Sequence, residues 1–245
     1  KMTDQLIQSI YRKILSTDKI SNKDLIVCAL GGYGRENLAP FSDLDLLFVP
    51  FSKERKISIA IEKILYFLWD LGFKVGHAVR DLEEIIEIAK KDFVIQTSLL
   101  DCRNICGDNE TFKKVEQTIE VFFENEDRNS FIKNKIKERE NRLEKKDSNS
   151  YLLEPNIKEC MGGLRDLNLL FWFFKRFYKS SSLDILHKMQ VISELEMKKL
   201  KKSFDFILTI RCHLHFLSER PNERLTFDLQ KSIALHTASA QSTCF

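Results

Sequence analysis

The chain lacks the features that would place it quickly in several large classes. Its six cysteines, at 28, 102, 106, 160, 212 and 244, include no Cys-x-x-Cys pair. No histidine or further cysteine stands near Cys102 and Cys106 to complete a zinc site, so reduced thiols are expected rather than a metal or disulfide framework. Charge of one sign is also missing. Against 39 basic residues stand 36 acidic ones, a net charge of +3, which leaves no nucleic-acid or membrane-surface footprint. The longest apolar run, 169–174, is far too short to span a bilayer. The opening residues KMTDQLIQSIYRKIL read as an amphipathic helix with charges throughout, not as a signal peptide. A cytoplasmic protein with no membrane and no nucleic-acid partner is the expectation, and the Lys1-Met2 start suggests a fragment. No internal repeat or low-complexity tract is visible.

What is present suffices for a core. With 43% hydrophobic residues, including 19 Phe, in 245 positions, the chain can fold as one large domain or two small ones. The spacing predicts a helix over 3–15, a strand over 25–30, a strand over 44–49 and a helix over 53–70. A strand over 73–79 follows, then a helix opened by Asp81 with Glu84 placed for a capping box, then a strand over 94–100. From 110 to 146 the pattern is helical and increasingly charged. Its acids and bases interleave, as on a solvated helix face. DSNSY interrupts it, and a second, mainly helical unit begins beyond.

The chemistry concentrates in LGGYGRENLAPFSDLDLLF, residues 30–48. Gly31, Gly32 and Gly34 follow a strand, but Asn37 occupies the third position of a dinucleotide fingerprint, and no Gly-Lys-Ser/Thr completes a Walker loop. What remains is a tight turn whose backbone N–H groups can cradle a triphosphate, or a plain structural turn. Asp43 and Asp45 lie two apart, so a strand would send both carboxylates to one side. Leu44, Leu46 and Leu47 imply burial of Asp45, and a divalent cation would resolve that cost. Asp101, at the end of VIQTSLLD, is the best candidate for a third acid; the alternative is a loop acid beside Arg103. Arg35 can contact phosphate or pair with Glu36. In NIKECMGGLRD, Lys158 and Arg165 flank a Gly-Gly turn as a possible phosphate or base clamp, while Asp166 can pair with Arg165 or cap the helix holding Trp172. His213 and His215, alternating on a helix, read as packing or surface residues. His77 stays open.

The 30–48 segment strongly resembles the active-site segment of the DNA polymerase β nucleotidyltransferase superfamily and, more narrowly, that of the bacterial PII-protein uridylyltransferases. The resemblance continues through GFKVGHAVRDLEE, TSLLDCRNICGD, YLLEPNIKECMGGLRDLNLLFWF and RCHLHFLSERPNERLTFDLQ, in order, over most of 25–233. It implies an α/β (α+β) fold: a polymerase-β-like nucleotidyltransferase domain with a mixed sheet over 1–108, a helical linker over 109–150, and an incomplete helical domain over 151–245. It implies Asp43 and Asp45 as the pair holding Mg²⁺, Asp101 as the third carboxylate, and Gly31 and Gly32 as the triphosphate turn. Arg35, Ser42, Lys158 and Arg165 are the remaining nucleotide-binding candidates. The implied reaction takes UTP and a tyrosine of the PII signalling protein to UMP-PII and pyrophosphate. Family members continue into an HD-type phosphohydrolase domain and paired ACT domains, neither of which is read here, and the tail after Ile233 departs from the family. Another nucleotidyltransferase of the superfamily, or a nucleotide-binding fragment without turnover, stands as the alternative.

Overall fold

The computed structural model describes residues 1–145, 153–180, 182 and 184–242. It is a mixed α/β structure in two compact units, Lys1–Leu38 with Ser42–Glu126, and Ala39–Phe41 with Asp127–Phe245. The main division falls between Glu126 and Asp127. The DSNSY interruption lies outside the described residues. Among the described residues no helix is long and apolar enough to cross a membrane, and Cys28, Cys102, Cys106, Cys160 and Cys212 are free thiols.

The first unit is built on four strands: β1 (Leu25–Ala29), β2 (Leu44–Pro50), β3 (Val75–Val79) and β4 (Arg103–Cys106), in the order β3-β2-β1-β4. β1 is antiparallel to β2 and β4, whereas β2 and β3 are parallel. A parallel pair needs a crossover, and helix α3 (Arg55–Asp70) supplies it. LIVCA in β1 is buried at every position, as suits an inner strand covered on both faces. One face of the sheet, with Leu25, Val27, Leu44, Leu46 and Phe48, shares a core with Ile7 and Tyr11 of α1 (Met2–Thr17) and Ile61, Ile64 and Leu68 of α3. The helical spacing of the apolar residues in 53–70 is thus a core face. α2 (Gly31–Gly34) is a single turn between β1 and β2. α4 (Leu82–Lys91) opens on the anticipated box: Asp81 accepts from the N–H of Glu83 and Glu84, and Glu84 accepts from the N–H of Asp81.

One expected strand is a helix. The run 94–100, apolar and β-branched at Val94, Ile95 and Leu99, forms α5 (Phe93–Leu99) with Leu100 as its C-cap, not the expected strand. Asp92 caps this helix, its carboxylate accepting from the N–H of Val94 and Ile95, and an N-cap of this kind overrides weak strand propensity. Val94 points outward while Gln96, Thr97 and Leu99 are buried. The fourth strand is instead β4, whose Arg103 and Asn104 disguise it. α6 (Asn109–Asn125) completes the unit and starts on Asp108, which accepts from the N–H of Thr111.

The second unit holds α7 (Arg128–Lys145), α8 (Leu164–Tyr178), α9 (Asp184–Lys188), α10 (Glu194–Ser218) and α11 (Phe227–Ser242). The helical stretch expected over 110–146 is therefore two helices, divided at Asp127, whose carboxylate accepts from the N–H of Asn129 and Ser130 at the start of α7. Ile157, Ile210, Leu214 and Ile233 form a core there. The segment 155–157 pairs with 223–225: Ile157 N–H donates to the carbonyl of Glu223, and Leu225 N–H to that of Pro155.

Candidate functional site

The glycine turn and Asp45 meet through strand register. Leu30 N–H donates to the carbonyl of Asp45 at 2.9 Å, carrying the β1–β2 pairing one residue beyond β1. The chain then reverses at Gly31, where φ is +53°, a conformation costly for a residue with a side chain. A Cβ on Gly31 would lie 3.1 Å from Asp45 Oδ2, and a Cβ on Gly76 would lie 2.8 Å from Asp45 Oδ1. Gly76 is the register partner of Asp45 on β3. The carboxylate therefore sits in a slot with a glycine against each oxygen. A Cβ on Gly32 would meet nothing within 4 Å, so that part of the turn is open.

Asp43 stands one residue ahead of β2, not inside it, and Asp45 is the one exposed residue in the otherwise covered run 44–49. This corrects the burial argument for Asp45: Leu44 and Leu46 turn to the α1–α3 core and Asp45 to the other side, so neither aspartate is held charged in an apolar interior. Both are exposed carboxylates two residues apart. Ser42 beside them is half-buried.

Asp101 is placed differently. It follows α5, is fully buried, and its carboxylate pairs with the guanidinium of Arg35. Arg35 thus takes a long-range partner. A Cβ on Gly34 would fall 1.9 Å from the carbonyl oxygen of Asp101 and 2.9 Å from that of Ala29, so α2 lies directly on the Asp101 backbone. One turn spans both features, with Asp45 at its Gly31 end and Asp101 at its Gly34 end. Arg103 holds the same turn from β4, donating to the carbonyls of Gly34 and Tyr33 at 3.2 Å and pairing with Asp4 at 2.9 Å. The Tyr33 hydroxyl donates to Asp4 as well, at 2.7 Å. Burial pushes the Asp4 carboxyl up, but the hydrogen bonds from Arg103 and Tyr33 outweigh it and hold Asp4 below its ordinary value. Burial and Asp4 both push the Tyr33 hydroxyl up.

Among the described residues no group of three His, Cys, Asp or Glu side chains could hold a metal ion. Asp43 and Asp45 are two exposed carboxylates, a ligand type that Mg²⁺ accepts when water and substrate phosphates complete its shell. Sequence reasoning missed Gly76, Asp4 and Tyr33. A glycine inside the strand-like KVGHAV was the one usable signal, since such glycines mark close approach. His77, next to Gly76, is exposed and edge-on to Trp69 at 5.9 Å.

The second unit contains Lys158 and Arg165, each facing an acid of that unit. Lys158 Nζ is 3.9 Å from Glu223, and Arg165 Nε is 3.5 Å from Glu159. Burial pushes the Lys158 ammonium below its ordinary value, against the pull of Glu223. Asp166 pairs with neither Arg165 nor the helix end alone. It accepts from Arg139 twice at 3.0 Å, from Arg142 at 2.5 Å and from Gly162 N–H at 2.9 Å. The charged helix α7 is thus not simply a solvated face. Arg139 and Arg142 are committed to Asp166, and the buried Lys135 lies 4.3 Å above the Trp172 ring.

Comparison with known proteins agrees with the sequence pattern. Residues 130–242 match the family model described as GlnD PII-uridylyltransferase. The bifunctional uridylyltransferase/uridylyl-removing enzyme of Phenylobacterium zucineum (strain HLK1) is 39% identical over 242 residues, 95% of this chain and 26% of the relative. That of Caulobacter vibrioides (strain NA1000 / CB15N) is 40% identical over 239 residues, 95% of this chain and 25% of the relative. The chain therefore spans about a quarter of the length of the curated relatives it matches. A solved structure described as a toxin-antitoxin with AMP-PNP is 16% identical, covering 56% of this chain and 96% of its own, with a TM-score of 0.31, too slight a likeness to bear on fold or function. By sequence the chain is thus similar over 95% of its length to bifunctional uridylyltransferase/uridylyl-removing enzymes, and residues 130–242 carry the match to the GlnD PII-uridylyltransferase family model.

Proposed function

We propose that the chain catalyses nucleotidyl transfer from UTP to a tyrosine hydroxyl of a PII signalling protein, releasing pyrophosphate. The observation that carries this is the Asp45 slot: a carboxylate between Gly31 and Gly76, with Asp43 two residues upstream and the open Gly32 turn beside it. On this reading the first unit is a polymerase-β-like catalytic domain and the second its associated helical domain. Asp43 and Asp45 would hold Mg²⁺, which when bound offsets triphosphate charge and favours departure of pyrophosphate. The leading N–H groups of the Gly31–Gly34 turn, which have no carbonyl within their own turn, face the phosphates. Arg35, fixed by Asp101, keeps the turn in place. The tyrosyl oxygen bonds the α-phosphorus, the bond to the pyrophosphate oxygen breaks in line, and the hydroxyl proton is released. Catalysis rests on positioning and charge neutralisation.

The test offers the chain each α-labelled nucleoside triphosphate with Mg²⁺ and a panel of acceptor proteins that includes PII. Label from UTP on a PII tyrosine is expected. Label from another nucleotide or on another acceptor would move the chain to a different nucleotidyltransferase. Calorimetric binding of Mg-UTP without pyrophosphate release would make it a binding module.

A further inference from the structure

Within the first unit, α1 carries a polar stripe on the side that meets the sheet. Asp4, Gln8 and Tyr11 are spaced i, i+4 and i+7, so they share one face, and each bonds outside the helix. The Tyr11 hydroxyl donates to the carbonyl of Leu25 on β1 at 2.6 Å, and Gln8 Nε2 donates to that of Ile105 on β4 at 3.1 Å. Ile7 is fully buried in the core beside them, so the N-terminal half of α1 is fastened to the sheet. Asp4 is thereby placed at the Gly31–Gly34 turn. One of its oxygens accepts from the Tyr33 hydroxyl at 2.7 Å, and the other from Arg103 Nη1 at 2.9 Å.

Arg103 is the part of this network that reaches the main chain of the turn. Its Nε donates to the carbonyl of Gly34 and its Nη2 to that of Tyr33, both at 3.2 Å. The guanidinium carbon also lies 5.5 Å from the centre of the Tyr33 ring. Carbonyls at a helix end need partners from outside the helix, and a planar guanidinium meets two of them only in a fixed orientation. Asp4 sets that orientation, since the exposed Glu36 lies 3.8 Å from the same Nη1. Arg103 is itself held by the sheet, as the register partner of Ala29, two residues before the turn. A four-residue turn is only about 6 Å long, so its Gly34 end, held by Arg103, and its Gly31 end, at Asp45, move together.

We infer that Asp4 is a positioning residue: it orients Tyr33 and Arg103 and through them fixes the Gly31–Gly34 turn against the triphosphate. The inference rests on the reading above for what the turn binds, but the fixing itself can be read without a ligand. Asp4→Ala removes both bonds, and Tyr33→Phe removes only the hydroxyl. Gln8→Leu removes a bond from α1 to β4 that does not reach the turn. Calorimetry with Mg-UTP and with UMP separates a displaced turn from a loosened fold, because UMP lacks the β- and γ-phosphates. The Kd for Mg-UTP should rise on the order of tenfold in Asp4→Ala, the scale of one lost hydrogen bond, while that for UMP stays within about twofold. Tyr33→Phe should shift the same way by less, and Gln8→Leu should keep both constants even where it melts earlier. In hydrogen exchange without ligand, the amides of Gly34, Arg35 and Asn37 donate to the carbonyls of Leu30, Gly31 and Gly32. They should exchange faster in Asp4→Ala and Tyr33→Phe than in wild type or Gln8→Leu. Wild-type affinity for Mg-UTP in Asp4→Ala would overturn the inference. Equal losses of UTP and UMP, or a Gln8→Leu chain that weakens UTP as Asp4→Ala does, would overturn it as well. Should Asp4→Ala fail to fold, Tyr33→Phe set against Gln8→Leu decides. A wild-type chain that binds no Mg-UTP would refute the reading of the turn; the fixing would then stand or fall on faster or unchanged exchange in Asp4→Ala.

Discussion

At the scale of single residues, Asp45 and Asp101 are both acids near one glycine turn, yet their surroundings differ. Asp45 is exposed and closely flanked by Gly31 and Gly76; Asp101 is sealed against Arg35. Gly76→Ala should push the Asp45 carboxylate, because the added Cβ would sit 2.8 Å from Oδ1. Transfer should fall on the order of 100-fold, as for a misplaced reacting group, while thermal melting changes little. Asp101→Ala should act in the opposite sense. Leaving Arg35 buried without its carboxylate costs about 3–5 kcal/mol, read as a drop in the urea midpoint. An Asp101→Ala chain that melts like wild type but cannot transfer would return Asp101 to the role of third ligand. The glycine turn after β1 and the strand that carries Asp45 were legible in the sequence because both are local. Gly76 and the Arg35–Asp101 pair depend on β3 register and on a contact across 66 positions, which spacing along the chain does not encode.

At the scale of elements, α5 and β4 show where local pattern misleads. An apolar, β-branched run became a helix because Asp92 satisfies its first N–H groups, and a polar tetrapeptide became a strand because β1 offered an edge. Asp92→Ala should destabilise the first unit by about 0.5–2 kcal/mol, the usual cost of a lost N-cap, measured by urea unfolding. By contrast α3 and α4 were legible in advance, since a full apolar face and a capping box are each written within one element. The charged helix α7 was read only in part. Nothing in its own residues says that Asp166, 24 residues beyond Arg142, will collect two of its arginines.

At the scale of the whole molecule, stability should depend on pH through His215. Burial, with Arg211 and Lys158, holds its folded value below the ordinary 6.5 against the pull of Glu223, so the unfolded chain takes up the proton first. The contribution is complete above that value and is lost as pH falls through it. Between about pH 7.5 and about pH 5.5 the wild-type urea midpoint should fall more than that of His215→Asn; equal falls would remove His215 as the cause. Lowered values for Asp4 and Asp166 add losses only in stronger acid, below about 3.8. The proposed reaction reaches beyond the molecule, to a nucleotide and an acceptor protein, and its centre is the pair of exposed aspartates. The most direct measurement is Mg²⁺-dependent transfer of label from α-labelled UTP to purified PII, by wild type, Asp43→Asn and Asp45→Asn, with melting followed in parallel. Wild type should label PII, and both variants should fail while melting as wild type does, because neither carboxylate supports the core. Full transfer by either variant would contradict the account.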